Sequence, residues 1–144
     1  MNNILVVCIG NICRSPMAEG LLKIELPTHT VRSAGLGALV GNSADPLAVK
    51  VMAKDGIDIS DHVARQISAE MIALADLVLV MDAEQKRFIE SRYPRSMGKV
   101  FCLVEDSERG VPDPYREGEE SFKLAHRLIS AGVNSWSKRV KSIF

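Results

Sequence analysis

A cysteine at position 8 is followed, after five intervening residues, by Arg14 and Ser15 within the stretch ILVVCIGNICRSP, residues 4–16. These residue types at this spacing suit a nucleophile that attacks a bound anion. A loop of this length curled around the amino end of a helix turns several backbone N–H groups inward, and the helix dipole behind them favours negative charge. Gly10 and Asn11 accept the positive φ angles that a tight curl demands. The planar guanidinium of Arg14 matches two oxygens of a tetrahedral oxyanion such as phosphate. At the mouth of this cradle the thiol of Cys8 is expected to ionise well below the free value of roughly 8.5, with Ser15 donating a hydrogen bond to the sulfur. The reaction expected is phosphoryl transfer from a monoester to cysteine, followed by hydrolysis.

Three plainer readings compete. A nucleotide-binding P-loop needs a glycine followed by Lys-Ser or Lys-Thr, and this loop has no lysine. Zinc held by Cys8 and Cys13 lacks a second Cys/His pair at suitable spacing. Cys8 as a small apolar residue ending a core strand is the strongest rival, because an isolated cysteine in VVC is more often inert packing. The arginine and serine at fixed offset favour the nucleophile.

The elements that must position this loop are legible from periodicity. Ile4 to Cys8 reads as a strand buried on both faces, and Ser15-Pro16 marks a helix start, the helix running from Met17 to Glu25 and stopping at Pro27. Thr30 to Ser33 reads as a second strand, followed by a glycine-punctuated loop from Gly35 to Asn42 and a helix from Pro46 to Lys54 that ends at Gly56. A third strand is expected in LVLVM after Asp76, a helix from Ala83 to Arg92, a fourth strand from Lys99 to Val104 and a last helix from Gly118 to Val140. Alternating strands and helices predict an α/β fold: a three-layer, doubly wound sheet of four parallel strands flanked by helices on both faces. In such sheets ligands bind beyond the carboxyl ends of the strands, where the residue 8–14 loop falls.

With 144 residues the chain has room for one domain, residues 1–144, and for a core that needs no metal or disulfide staple. Its 18 basic and 18 acidic residues cancel, so no basic excess points to nucleic acid or an anionic membrane. The N-terminus, MNNILVV, lacks the marks of a secretory signal, and apolar runs fall well short of the roughly 20 residues of a membrane helix. A cytoplasmic chain without membrane insertion is expected. Three cysteines, an odd number, argue against a disulfide framework.

VCIGNICRSPMAE, with SAG at 33–35 and DPY at 113–115, closely resembles the low-molecular-weight protein tyrosine phosphatases over essentially the whole chain. AGLGALVG and DISDHVARQIS are most similar to the bacterial branch, which is associated with tyrosine autokinases of capsule or exopolysaccharide export. The resemblance implies a flavodoxin-like phosphatase fold, no cofactor and no metal, and a monomer. It further implies a phosphotyrosine protein, in particular a membrane tyrosine autokinase, as partner. It makes Cys8 the nucleophile, Arg14 the phosphoryl-binding residue and Asp113 the general acid. The need for the acid follows independently: expulsion of a phenolate is easier with protonation of the bridging oxygen, and the same carboxylate can later take a proton from the attacking water. Pro112 and Pro114 restrict the backbone that would aim Asp113, whose plainer role is a turn aspartate.

Substrate contacts are then expected from Ile9, Gly10, Asn11, Ile12, Cys13 and Ser15 of the loop, with a rim of the 36–40 loop, Leu39 above all, and Tyr115. The resemblance assigns Asn11, Ser33 and His62 to bracing of the nucleophile loop; taken singly, Ser33 is a strand-end hydroxyl and His62 a surface histidine. Cys13 is either a small residue packed under the helix start or a redox partner that forms a disulfide with Cys8 under peroxide. Many eukaryotic relatives carry aromatics where Leu39 and Arg116 stand, which leaves Arg116 available for acidic residues flanking a phosphotyrosine. Cys102 and Trp136 are expected in the core, Lys86, Arg87 and Arg92 on a solvated helix face, and His29 and His126 in solvent. Two alternatives remain: arsenate reduction on the same scaffold, which would need further relay cysteines, and a non-catalytic phosphotyrosine-binding regulator.

Overall fold

The computed structural model describes residues 2–105 and 110–143. Four strands, β1 (Asn3–Cys8), β2 (Thr30–Gly35), β3 (Leu77–Val80) and β4 (Val100–Cys102), form one parallel sheet in the order β2-β1-β3-β4. The chain leaves β1 in one direction for β2 and returns past it to β3. The order therefore reverses between β1 and β3, and the crevice this opens at their carboxyl ends is the expected ligand position. Cys8, the last residue of β1, pairs in register with Gly35 at the end of β2.

The run of apolar residues in β1 is explained by cover on both faces. Ile4, Val6 and Cys8 face α1 (Arg14–Glu25), α2 (Pro46–Ala53) and α5 (Glu119–Ile143), in a core completed by Met17, Leu22, Met52, Phe122 and Ile129. Leu5 and Val7 face a second core with Ile72 of α3 (Ala69–Leu74) and Ile89 of α4 (Ala83–Arg92). Full burial of each such side chain favours folding by about 1.5–3 kcal/mol, enough in aggregate to hold β1 at the centre with one register. Among the described residues no helix is long and apolar enough to cross a membrane.

Several boundaries differ from the periodicity reading, each for a local reason. Helix α1 begins at Arg14 rather than Met17, so the arginine and Ser15 lie in its first turn. The unexpected α3 is a six-residue helix whose N-cap, Ser68, accepts a hydrogen bond from the N–H of Met71 at 3.2 Å; one and a half turns are too short for a periodic signal. The expected 99–104 strand shrinks to Val100–Cys102. As an edge strand it leaves Cys102 only partly buried against the second core, and not within it as expected. Trp136 is buried as expected, its indole N–H donating to the Cys102 carbonyl at 3.2 Å. His126 is not in solvent: its Nε2 lies 2.7 Å from Asp55 Oδ2. Nor is Lys86 simply solvated, since its ammonium lies 5.7 Å from the centre of the Phe101 ring.

Candidate active site

The loop after β1 is held from every side by hydrogen bonds. The rim segment that follows β2 is zipped to it, with Leu36, Gly37 and Leu39 N–H groups donating to the carbonyls of Cys8, Ile9 and Gly10, each at 3.0 Å. Asp45 caps α2 through its side chain, and its own N–H donates to the Ile12 carbonyl at 2.8 Å. Gly35 lies directly beneath: a Cβ there would drive into the carbonyl oxygen of Ile9 and stand 3.0 Å from Ala38 Cβ. Only a residue without a side chain allows β2 and the loop to approach this closely.

Asn11 is the internal strut. It adopts φ 59°, the left-handed region that asparagine tolerates, and is fully buried. Its Oδ1 accepts from the Arg65 N–H at 2.9 Å, which fixes the orientation of the amide. Its Nδ2 then donates to Ser15 Oγ at 2.7 Å and to Ser33 Oγ at 3.0 Å. Ser33 in turn donates to a carboxylate oxygen of Glu19. Ser15 Oγ also lies 2.9 Å from Cys8 Sγ, so its hydroxyl is placed to donate to the sulfur whenever the sulfur is a thiolate, which can only accept. His62 Nε2 lies 2.7 Å from the Asn11 carbonyl, which can only accept, so this nitrogen carries the proton; Nδ1 faces Glu19 at 4.0 Å.

Arg14 lies beneath the cavity, 3% exposed, with Nη1 donating to the Val111 carbonyl at 2.8 Å. Its Nε is buried with no hydrogen-bond partner among the described residues. A buried guanidinium N–H left unused is costly unless an acceptor binds there. Asp113 stands opposite, its Oδ2 3.7 Å from Arg14 Nη2, its other oxygen accepting from the Tyr115 N–H at 3.1 Å, and its side chain 48% exposed toward the mouth. These groups converge on a cavity of about 170 Å³ lined by Cys8, Arg14, Asp113, Ile9, Leu39 and Tyr115, with Gly10, Ile12, Cys13 and Gly37 completing the wall.

A thiol, a guanidinium with a spare donor and a carboxylate around one small cavity form the arrangement that the motif reading anticipated. The family model for low molecular weight phosphotyrosine protein phosphatases matches residues 3–143. The chain belongs to this family. It is similar to the probable low molecular weight protein-tyrosine-phosphatase EpsP of Ralstonia nicotianae, with 50% identity over 143 residues, 99% of each chain. Among solved structures, the tyrosine phosphatase Wzb of Escherichia coli K30 in complex with sulphate superposes with a TM-score of 0.92 at 35% identity, covering 96% of this chain and 98% of that one. The arginine phosphatase YwlE, in a mutant with a phosphorylated active-site serine, aligns at 34% identity with a TM-score of 0.89, covering 96% of this chain and 95% of that one. The chain is thus a protein-tyrosine-phosphatase, a hydrolase, on the fold its sequence predicts.

Not every expected contact of the phosphatase lies on the cavity wall. Asn11 and Ser15 are fully buried behind the loop, and reach the cavity only through Cys8 and the backbone they hold. Cys13 is on the wall, its thiol pushed up from an ordinary value of 9.0 by burial first and then by the charges of Asp45, Cys8 and Asp113, against a smaller lowering by Arg14. The residue that sequence reasoning missed is Glu19. It ties Ser33 to Lys23, whose ammonium is 2.7 Å from its carboxylate. Its signal was present: Glu19 stands four residues after Ser15, hence on the same inward face of α1.

Proposed function

We propose that this phosphatase cleaves phosphotyrosine in proteins by way of a phosphocysteine. Cys8 Sγ attacks phosphorus, the bond from phosphorus to the phenolic oxygen breaks, and Asp113 delivers its proton to that oxygen. Water then attacks the phosphocysteine, Asp113 takes the proton, and the sulfur departs with the Ser15 hydroxyl donating to it. Arg14 pairs with the phosphoryl oxygens through Nε and Nη2 in both steps. The observation that carries this reading is that Arg14, whose Nε is buried with no hydrogen-bond partner among the described residues, lines one cavity with Cys8 and Asp113. Asn11, Ser33, His62 and Glu19 hold the loop so that its donors need no rearrangement.

The resemblance to EpsP and Wzb supports a physiological substrate of the tyrosine autokinase kind, with a role in exopolysaccharide or capsule production, and the reading includes an enzyme that acts in the cytoplasm as a monomer. Ile9, Leu39 and Tyr115 form an apolar collar that suits an aromatic ring passing to a phosphate held below. The deciding experiment compares a phosphotyrosine peptide with phosphoserine and phosphoarginine analogues, in EDTA, and arsenate with thiol reductant. Turnover of the first alone is expected. Cys8→Ser should abolish turnover while keeping phosphate or vanadate binding; turnover near that of the unaltered chain would remove Cys8 from the mechanism.

A further inference from the structure

Besides Asn11, Arg116 is the described non-glycine residue with positive φ, at 64°. The left-handed region costs an L-residue such as arginine roughly 1–2 kcal/mol, and the network at Asn11 explains the strain there but not here. Arg116 occupies the third position of a tight turn, Pro114 to Glu117, closed by the Glu117 N–H donating to the Pro114 carbonyl at 3.0 Å. Glycine or asparagine would occupy that position more easily. What the arginine supplies is its side chain: the guanidinium stacks over the ring of Tyr115, 5.1 Å from its centre. Tyr115 lines the catalytic cavity and its N–H holds the carboxylate of Asp113. Acid, aromatic collar and guanidinium are thus consecutive parts of one turn.

Arg116 is exposed, and among the described residues no carboxylate pairs with it, its neighbour Glu117 included. A stacked guanidinium still presents the N–H groups of its edge, in the fork geometry that suits a carboxylate. The rim segment across the mouth, LGALVG at 36–41, carries no charge. A peptide whose phosphotyrosine ring passes the collar must lay its neighbouring side chains over this rim. We infer that Arg116 is a specificity-determining residue that selects phosphotyrosines flanked by Asp or Glu. This rests on the proposed phosphotyrosine hydrolysis.

The test is the ratio of kcat/KM for two phosphotyrosine peptides that differ only in carrying Glu or Lys beside the phosphotyrosine. The unaltered chain should favour the acidic peptide roughly three- to five-fold at low salt, as expected of one exposed ion pair, and less as salt is raised. Arg116→Ala should bring the ratio to about one, Arg116→Glu should invert it, and Arg116→Lys should restore part of it. Arg116→Gly separates backbone from charge, because it relaxes the turn while removing the guanidinium; it should raise the melting temperature and lose the preference. Equal rates on the two peptides, or a preference that survives in the Ala, Glu or Gly variants, would overturn the inference and leave the proposed hydrolysis standing. Failure to cleave either peptide would remove both.

Discussion

Arg14 and Val111 lie 97 positions apart in the chain, yet the guanidinium of one donates to the carbonyl of the other at 2.8 Å. This single bond joins the two halves of the site: it ties the first turn of α1 to the loop that carries Asp113, and leaves Arg14 Nη2 3.7 Å from that carboxylate. Gly110, just before Val111, has φ 62°, and a Cβ there would collide with the Met81 carbonyl and Asp82 at the end of β3. The acid loop is therefore pressed against the sheet at the switch point, where a bulkier residue would lift it away.

Asp113→Asn tests the acid. Loss of a general acid costs about 10²–10⁴ in rate where the leaving group needs its proton. Phenyl phosphate turnover should fall within that range and p-nitrophenyl phosphate turnover much less, because nitrophenolate leaves without protonation. A leaving-group series measured with both enzymes decides it; parallel losses would take Asp113 out of this role.

Glu19→Gln tests the buried end of the hydrogen-bond chain. The carboxylate is 14% exposed and accepts from Ser33, so replacing a charge-assisted bond with a neutral one should cost about 1–2 kcal/mol of stability. If Glu19 positions the nucleophile loop, kcat should drop about tenfold with KM little changed, and Glu19→Asp should recover part of it. A lower urea midpoint with kcat intact would make the residue structural only.

Gly35→Ala tests the close approach of β2 to the loop. The added methyl meets the Ile9 carbonyl and Ala38, and strain of about 1–3 kcal/mol is expected together with a large fall in activity. Gly37→Ala is the stability control, since a Cβ there meets nothing within 4 Å. Equal urea midpoints for the two variants would contradict the packing described.

Cys13 supplies a pH test. Its thiol is pushed up from 9.0 mainly by burial, so the folded chain keeps a proton that the unfolded chain releases. The stability contributed by this group is complete below pH 9.0 and is lost as pH rises beyond it. Urea midpoints should therefore decline on the alkaline side, and Cys13→Ala should flatten that decline. The retained proton also slows Cys13 as an attacking thiol, so a disulfide with Cys8 after peroxide treatment should form faster as pH is raised from about 7 to about 9. A pH-independent yield by non-reducing mass spectrometry would speak against the redox role.

What the residues determined by themselves is local. Four apolar residues running into Cys8 specify a strand covered on both faces, and the Cys-x5-Arg-Ser spacing specifies an anion loop at a helix start, because curl, dipole and donor fork are set within a dozen residues. The parallel sheet follows from the alternation of elements and the handedness of their connections. Tertiary structure decided what lies far apart in the chain. Glu19 is an ordinary helix acid until β2 brings Ser33 against it, and Asp113 is a turn aspartate until Val111 docks on Arg14. The apolar neighbours of Cys102 predict a core position, but a strand at the sheet edge buries only part of its surface, and edge position is a property of the whole sheet. Local sequence sets backbone conformation, whereas which polar groups become partners depends on packing that closes across distant segments, and no short window of residues encodes that closure.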